Sequence, residues 1–287
     1  MKSIFSYIIL TGFIFICGCT ANEQALLNSV FPKLEERYLG QKPPGLIPEK
    51  IAPGIVSTEN FVEAHYQYTP DMKEFYFSRR GGHYKKTTMY VMQFQEGQWS
   101  NPTELTNDPG QYRRKVSPEK ADQWKVLKEA PFADIPIREF SVSSKGTYYF
   151  YTLNTKGEGY IGYSGLVDGK YNKPQKLPNG INKGIWIAHP FVAPDESYLM
   201  WDAETPGKYG ADLYISFRQP DGTWGDGISM GDQINTTSYE QGISLTPDGK
   251  YLLFWRGDEK KKADGSTYWV GSPYWVDAKI IETLRPE

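Results

Sequence analysis

Short apolar and aromatic runs recur along the chain, each introduced by a tight polar turn. Thr246-Pro247-Asp248-Gly249-Lys250 leads into Tyr251-Leu252-Leu253-Phe254. Pro presets φ, Asp bonds its own backbone and Gly accepts positive φ, so the first stretch predicts a turn and the second a half-buried strand. The phrase returns as Thr69-Pro70-Asp71 ahead of Phe75-Tyr76-Phe77, and as Ala193-Pro194-Asp195 ahead of Tyr198-Leu199-Met200-Trp201. A worn copy, Ser143-Ser144-Lys145-Gly146, precedes Tyr148-Tyr149-Phe150. Self-similarity at roughly fifty residues predicts a propeller or solenoid.

Each copy holds a strand ending in the turn, an aromatic strand after it and a third, alternating strand. The third strands are expected at Met89-Tyr90-Val91-Met92, Tyr160-Ile161-Gly162-Tyr163 and Asp212-Leu213-Tyr214-Ile215-Ser216. A second mark follows them: Gly97-Gln98-Trp99, Gly169-Lys170-Tyr171 and Gly222-Thr223-Trp224, whose aromatic is expected to cover a sheet edge. The regularity fails once, where Ser117-Pro118-Glu119 and Ser144 stand about half a repeat apart. Residues 112 to 131 are therefore expected as a blade remnant with Trp124-Lys125-Val126-Leu127 as its third strand; the alternative is an insertion in a four-bladed ring. The last copy lacks the Gly-x-Trp mark, and Ile51 to Ser57 is expected to supply its outer strand and remove an exposed edge. The predicted fold is thus all-β: a β-propeller of about five blades, one truncated and four possible, closed by an N-terminal strand.

Composition agrees with this. The 287 residues are 15% aromatic with 28 Gly and 20 Pro, as many short strands joined by turns require. The formal charge of -2 gives no field favouring nucleic acid, and Glu259-Lys260-Lys261-Lys262 reads as a solvated loop. Lys2 followed by the apolar run Ile4 to Ile16 reads as a targeting segment, too short for a membrane span of about 20 residues. It ends in Ile16-Cys17-Gly18-Cys19, which resembles a bacterial lipobox and implies lipidation of Cys19, although Cys17 is unusual there; the alternative is an ordinary secretory signal. The predicted division is a signal peptide over 1–18, a tether over 19–50 and the propeller over 51–287. Glu23 to Leu39 has one apolar face interrupted by Pro32 and predicts a short helix. Both cysteines lie at the leader junction, so the exported body is expected to rely on core packing alone.

The Pro-Asp-Gly turn, Tyr251-Leu252-Leu253-Phe254 and Ala211-Asp212-Leu213-Tyr214-Ile215-Ser216 resemble the TolB-type, WD-like β-propeller repeat family of bacteria. Pro190 to Leu199 and Tyr274 to Glu282 are similar to its envelope-associated members. The resemblance implies the fold; function does not follow, because propellers serve as binders, scaffolds and enzymes alike. With Thr20 after Cys19, resemblance to Gram-negative lipoproteins implies an outer-membrane or envelope location.

The turn also serves as a ruler. The start of the first strand and the end of the second share one face, where propellers bind ligands. Six residues before each turn lie His65, Arg113, Arg138, His189 and Gly242; beyond it lie Ser78, Arg79, Arg80, Tyr151, Asp202, Glu204, Trp255 and Arg256. The ligand-binding candidates are His65, Arg79, Arg80, Arg138, His189, Asp202, Glu204 and Arg256. Arginines suit carboxylate or phosphate, and Trp or Tyr suits sugar faces. The same residues also have plain structural readings: His65 and His189 as repeat residues bonding carbonyls, Arg79-Arg80 as solvated. Asp202 with Glu204 would suit general acid/base work, and His65, His83 and His189 a metal, but no nucleophile motif is present. The expectation is a monomeric, non-catalytic, lipid-anchored binder or scaffold without a cofactor, its partner an envelope protein, peptide or glycan. The alternative is a glycan-active enzyme, a glycoside hydrolase or polysaccharide lyase, using the mouth acids or histidines.

Overall fold

The computed structural model describes residues 37–105, 113 and 115–286. The leader, Cys19 and most of the predicted 23–39 helix lie outside the described residues. Arg37 to Gly40 form a turn, followed by β1 (Glu49–Lys50). The first sheet holds β2 (Val62–Tyr68), β3 (Glu74–Gly81) and β4 (Tyr84–Gln95), edged by β5 (Gln98–Trp99) and β6 (Thr103–Glu104). After α1 (Lys120–Val126), the second sheet takes β7 (Ile137–Val142), β8 (Tyr148–Leu153) and β9 (Gly159–Ser164). The hairpin β10 (Leu166–Val167) and β11 (Lys170–Tyr171) precedes its outer strand β12 (Gln175–Lys176). The third sheet is β13 (Trp186–Val192), β14 (Tyr198–Glu204), β15 (Ala211–Phe217) and β16 (Ile228–Ser229). The last holds β17 (Tyr239–Leu245), β18 (Tyr251–Lys261) and β19 (Thr267–Asp277), before α2 (Ile280–Thr283). Among the described residues the first and last groups join through β19 and β2 into one nine-stranded sheet, beside two four-stranded antiparallel sheets and the β10–β11 hairpin, a mostly β, propeller-like architecture.

The repeated turn works as its residues require. Asp71 accepts from the Thr69 hydroxyl at 2.6 Å and the Lys73 N–H at 3.1 Å, and Asp248 accepts from Thr246 at 2.7 Å. The residue after each Asp adopts positive φ: 56° at Met72, 64° at Glu196 and 71° at Gly249. Only Gly249 does so without steric cost. Met72 is fully buried, and Glu196 is held by the Ser143 hydroxyl at 2.8 Å.

Sheet faces pack against one another in sequence. Tyr149, Ile161, Ile187 and Trp201 join the second sheet to the third. Met200, Leu213, Leu252 and Phe254 join the third to the last. Phe75, Phe77, Leu253 and Trp275 join the last to the first, with Tyr38 and Ile51. Between the first and second sheets sits the segment containing α1. Val116 packs on Tyr76, Met89 and Val91 of the first sheet, and Leu127 and Phe132 on Phe140, Tyr148 and Phe150 of the second. This corrects the expected blade remnant: Trp124 to Val126 lie in α1 and not in a strand. Pro118 stands just ahead of a run of helix formers, and Trp124 and Leu127, three apart, share the face that packs on the second sheet.

The N-terminal strand does pair with the last sheet, but two residues earlier than expected. Glu49 and Lys50 face Trp275 and Tyr274 across β19, and Ile51 N–H reaches Pro273 O at 3.0 Å. Pairing then stops because Ala52 (φ 40°) and Gly54 (φ 79°) turn the chain and Pro53 has no N–H to donate. Upstream, Tyr38 is buried between Tyr251 and Trp275 and donates to Asp248 at 2.6 Å. Burial and that bond both push its phenol well above the ordinary tyrosine range. The last and first sheets also touch through one parallel bridge, Gly271 to Val62.

A candidate anion-binding centre

Each of β2, β7, β13 and β17 carries a bulge at the position counted back from the turn. The register slips between Ala64 and Gln67, Ile137 and Glu139, Ala188 and Phe191, and Gln241 and Ser244. The displaced residues include His65, Arg138, His189 and Gly242. A bulge re-aims a side chain, and these recur beside the shared face. His65 (φ 50°), His189 (φ 49°) and Gly242 (φ 65°) take left-handed backbone. For the two histidines this costs on the order of 1 kcal/mol or more, a strain characteristic of functional positions.

His65 Nδ1 lies 2.9 Å from Ser78 Oγ, which itself donates to Ala64 O at 3.1 Å. The hydroxyl proton being spent on Ala64, Nδ1 carries the imidazole proton and Nε2 is left as an acceptor. Burial, then Arg113 and Arg80, lower the pKa of His65, with Glu139 opposing. His189 is its opposite. Nδ1 donates to Asp202 Oδ1 at 2.7 Å, and Nε2 stands 3.9 Å from Glu139 Oε2. Burial works against its charge, but Asp202 and then Glu139 outweigh it and raise the pKa to about 9. His189 is therefore a fixed cation at neutral pH. Asp202 is fully buried, also accepts the Gly242 N–H at 2.9 Å, and its Oδ2 has no partner among the described residues.

The surroundings are rich in cations: Arg113 and Arg80 act electrostatically on His65, Arg138 acts on Tyr151, and Glu139 acts on both histidines. Arg113 lies ahead of α1 and not on one of these bulged strands, and Lys120 of α1 reaches Glu139 at 3.8 Å. Arg138 is exposed beside Tyr151, whose ring meets His189 edge-on at 5.8 Å. Glu139 and Lys120 were not signalled by counting; Glu139 could have been found as the neighbour of the bulge residue.

Three counted candidates lie elsewhere. Arg256 Nε bonds Glu240 at 2.8 Å and its Nη2 bonds Ile234 O at 2.7 Å, while the guanidinium covers Tyr274. Arg79 repeats the pattern with Glu63 at 3.9 Å, Ile55 O, and the rings of Phe77 and Tyr90. Glu63 and Glu240 are fully buried, each two residues before a bulge residue and each bonded to a threonine, Thr58 and Thr236. Burial pushes both carboxyls up, and those bonds with the arginines pull them back. Glu204 sits two residues beyond Asp202, half-exposed near Tyr239. His83, in an exposed turn, meets Phe61 edge-on at 5.2 Å and lies tilted against Tyr84 at 4.3 Å. Among the described residues no three His, Cys, Asp or Glu groups are placed to hold a metal, and no helix is long and apolar enough to cross a membrane.

No family model matches the chain, and no curated protein sequence does. Among solved structures, TolB from Acinetobacter baumannii is similar at 13% identity and TM-score 0.30, over 73% of this chain and 43% of TolB. A gluconolactonase from Xanthomonas campestris is similar at 10% identity and TM-score 0.31, over 70% of this chain and 52% of that one. The NanB sialidase from Streptococcus pneumoniae is similar at 10% and 0.34, over 71% and 28%. The chain thus spans about half or less of each, and none of these likenesses carries a functional argument.

Proposed function

We propose that this chain is a lipid-anchored envelope protein whose sheets surround a non-catalytic binding centre for a carboxylate or phosphate group. The observation that carries the reading is that His189, bonded to Asp202, shares Glu139 with His65, whose other charged neighbours are Arg113 and Arg80, while Arg138 lies by Tyr151 against the His189 ring. Asp202 supports binding over catalysis. Asp202 is fully buried and bonded to His189 and to Gly242 N–H, away from any ligand in solvent, and a histidine of raised pKa is a poor general base at neutral pH. Lipidation rests on Ile16-Cys17-Gly18-Cys19.

Calorimetric titration with galacturonate and with inorganic phosphate tests the centre. At least one should bind, more weakly as salt rises, and Arg80→Ala or Arg138→Ala should lose about tenfold in affinity with unchanged thermal stability. Binding indifferent to both arginines, or turnover of a polysaccharide abolished in Asp202→Ala, would overturn the reading. Labelled palmitate that is retained in Cys19→Ala would refute the anchor.

A further inference from the structure

A line of aromatic rings reaches β17, the strand that also carries Gly242. Tyr209 meets Tyr239 edge-on at 5.1 Å, Tyr239 meets Trp269 edge-on at 5.0 Å, and Trp269 meets Trp255 at 6.3 Å. The rings come from the β14–β15 loop, β17, β19 and β18, so four separate segments build one ledge. Its outer members stand in solvent: Tyr209 is 53% exposed and Trp269 36%. Two exposed rings joined through Tyr239 form a candidate binding surface.

The ledge is shaped by the sequence. Trp255 lies flat across Gly257 and Gly271, and a side chain at either glycine would collide with the indole. Tyr209 Oη accepts the Glu259 N–H at 3.4 Å, and Ser238 Oγ bonds Asp258 at 3.1 Å beside the rings. Ring faces and edges set beside carboxylates and hydroxyls match pyranose rings, which offer C–H faces to aromatics and hydroxyls to polar groups. The ledge and the Asp202–His189 pair are linked through β17. Tyr239 stands on β17 three residues before Gly242, whose N–H bonds Asp202, and Trp255 pairs with Gln241 one residue from that bulge.

We infer that the ligand is an acidic oligosaccharide, its carboxylate held at the His189/Arg centre and its following rings laid along Tyr209, Tyr239 and Trp269. This rests on the anion-binding reading above and adds the ligand class and the second half of its site. The charge of the centre selects the acidic sugar, and the ledge selects chain length.

Titration of the full chain with galacturonate, its tetrasaccharide, the neutral galactose tetrasaccharide and a glutamate tetrapeptide tests the inference. Expected is at least about a tenfold gain from galacturonate to its tetramer, with the neutral tetramer and the peptide weaker than the acidic tetramer. In Tyr209→Ala/Trp269→Ala the gain should vanish while monosaccharide affinity stays unchanged; both rings are exposed, so the variant should fold. Monosaccharide binding with no gain on chain length, or a gain that survives the double variant, would overturn the ledge and leave the anion centre standing. Equal or tighter binding of the peptide would overturn the sugar assignment. Trp269-dependent binding of the neutral tetramer, with no binding of galacturonate, would overturn the anion centre instead.

Discussion

Arg256→Ala should lower the unfolding free energy by about 3–5 kcal/mol, because it strands a buried charge. Glu240 is fully buried, and without Arg256 only Thr236 remains to bond its carboxylate. Arg256→Lys restores the charge but not the fork that reaches both Glu240 and Ile234 O, so it should fall between wild type and alanine. Replacing both partners, as in Glu240→Leu/Arg256→Met, should recover most of the loss, since an apolar pair removes the orphaned charge altogether. Urea unfolding of the four proteins measures this. A loss below about 1 kcal/mol in Arg256→Ala would mean that the buried pair is not structural, and would return Arg256 to the ligand-binding set.

Phe132→Ala should cost about 3–5 kcal/mol as well, for a different reason. Phe132 is fully buried among Tyr148, Phe150 and Tyr171, and it fixes the α1 segment onto the second sheet. The cavity cannot be refilled easily, because aromatic rings on several sides are already packed against one another. The half-buried Trp124 should matter less. The same variant should weaken anion binding, since the segment containing α1 brings Lys120 to Glu139. Near-wild-type stability would make the segment a surface decoration and not a filler between sheets.

Much of this architecture was legible because the Pro-Asp turn is rigid and repeated. Counting six residues back from Asp71, Asp195 and Asp248 lands on His65, His189 and Gly242, the bulge residues with left-handed backbone. Counting forward was less discriminating. Arg79 and Arg80 are neighbours, yet pleating turns one toward Glu63 and leaves the other exposed. A ruler gives distance along a strand and not which face a side chain takes. The glutamates that capture Arg79 and Arg256 stand two residues before a bulge in both cases, a correlation visible in the sequence but meaningless until the strands are paired. Trp124 to Leu127 misled because four residues rich in apolar groups suit a strand and a helix face equally. The aromatic ledge escaped because its rings come from four segments, and only pairing brings Tyr209, Tyr239, Trp255 and Trp269 together.

The central claim is that His65 and His189 flank one anion site, the first neutral and the second cationic. The chain has three histidines, His65, His83 and His189, so each imidazole can be followed by nuclear magnetic resonance of the labelled full chain. At pH 8 the account predicts a protonated His189, since Asp202 and Glu139 raise it to about 9, beside a neutral His65 carrying its proton on Nδ1. Adding galacturonate should move both of these signals together and leave His83 in place. A His189 that titrates near the ordinary histidine value, with neither His65 nor His189 responding to the acid, would contradict it.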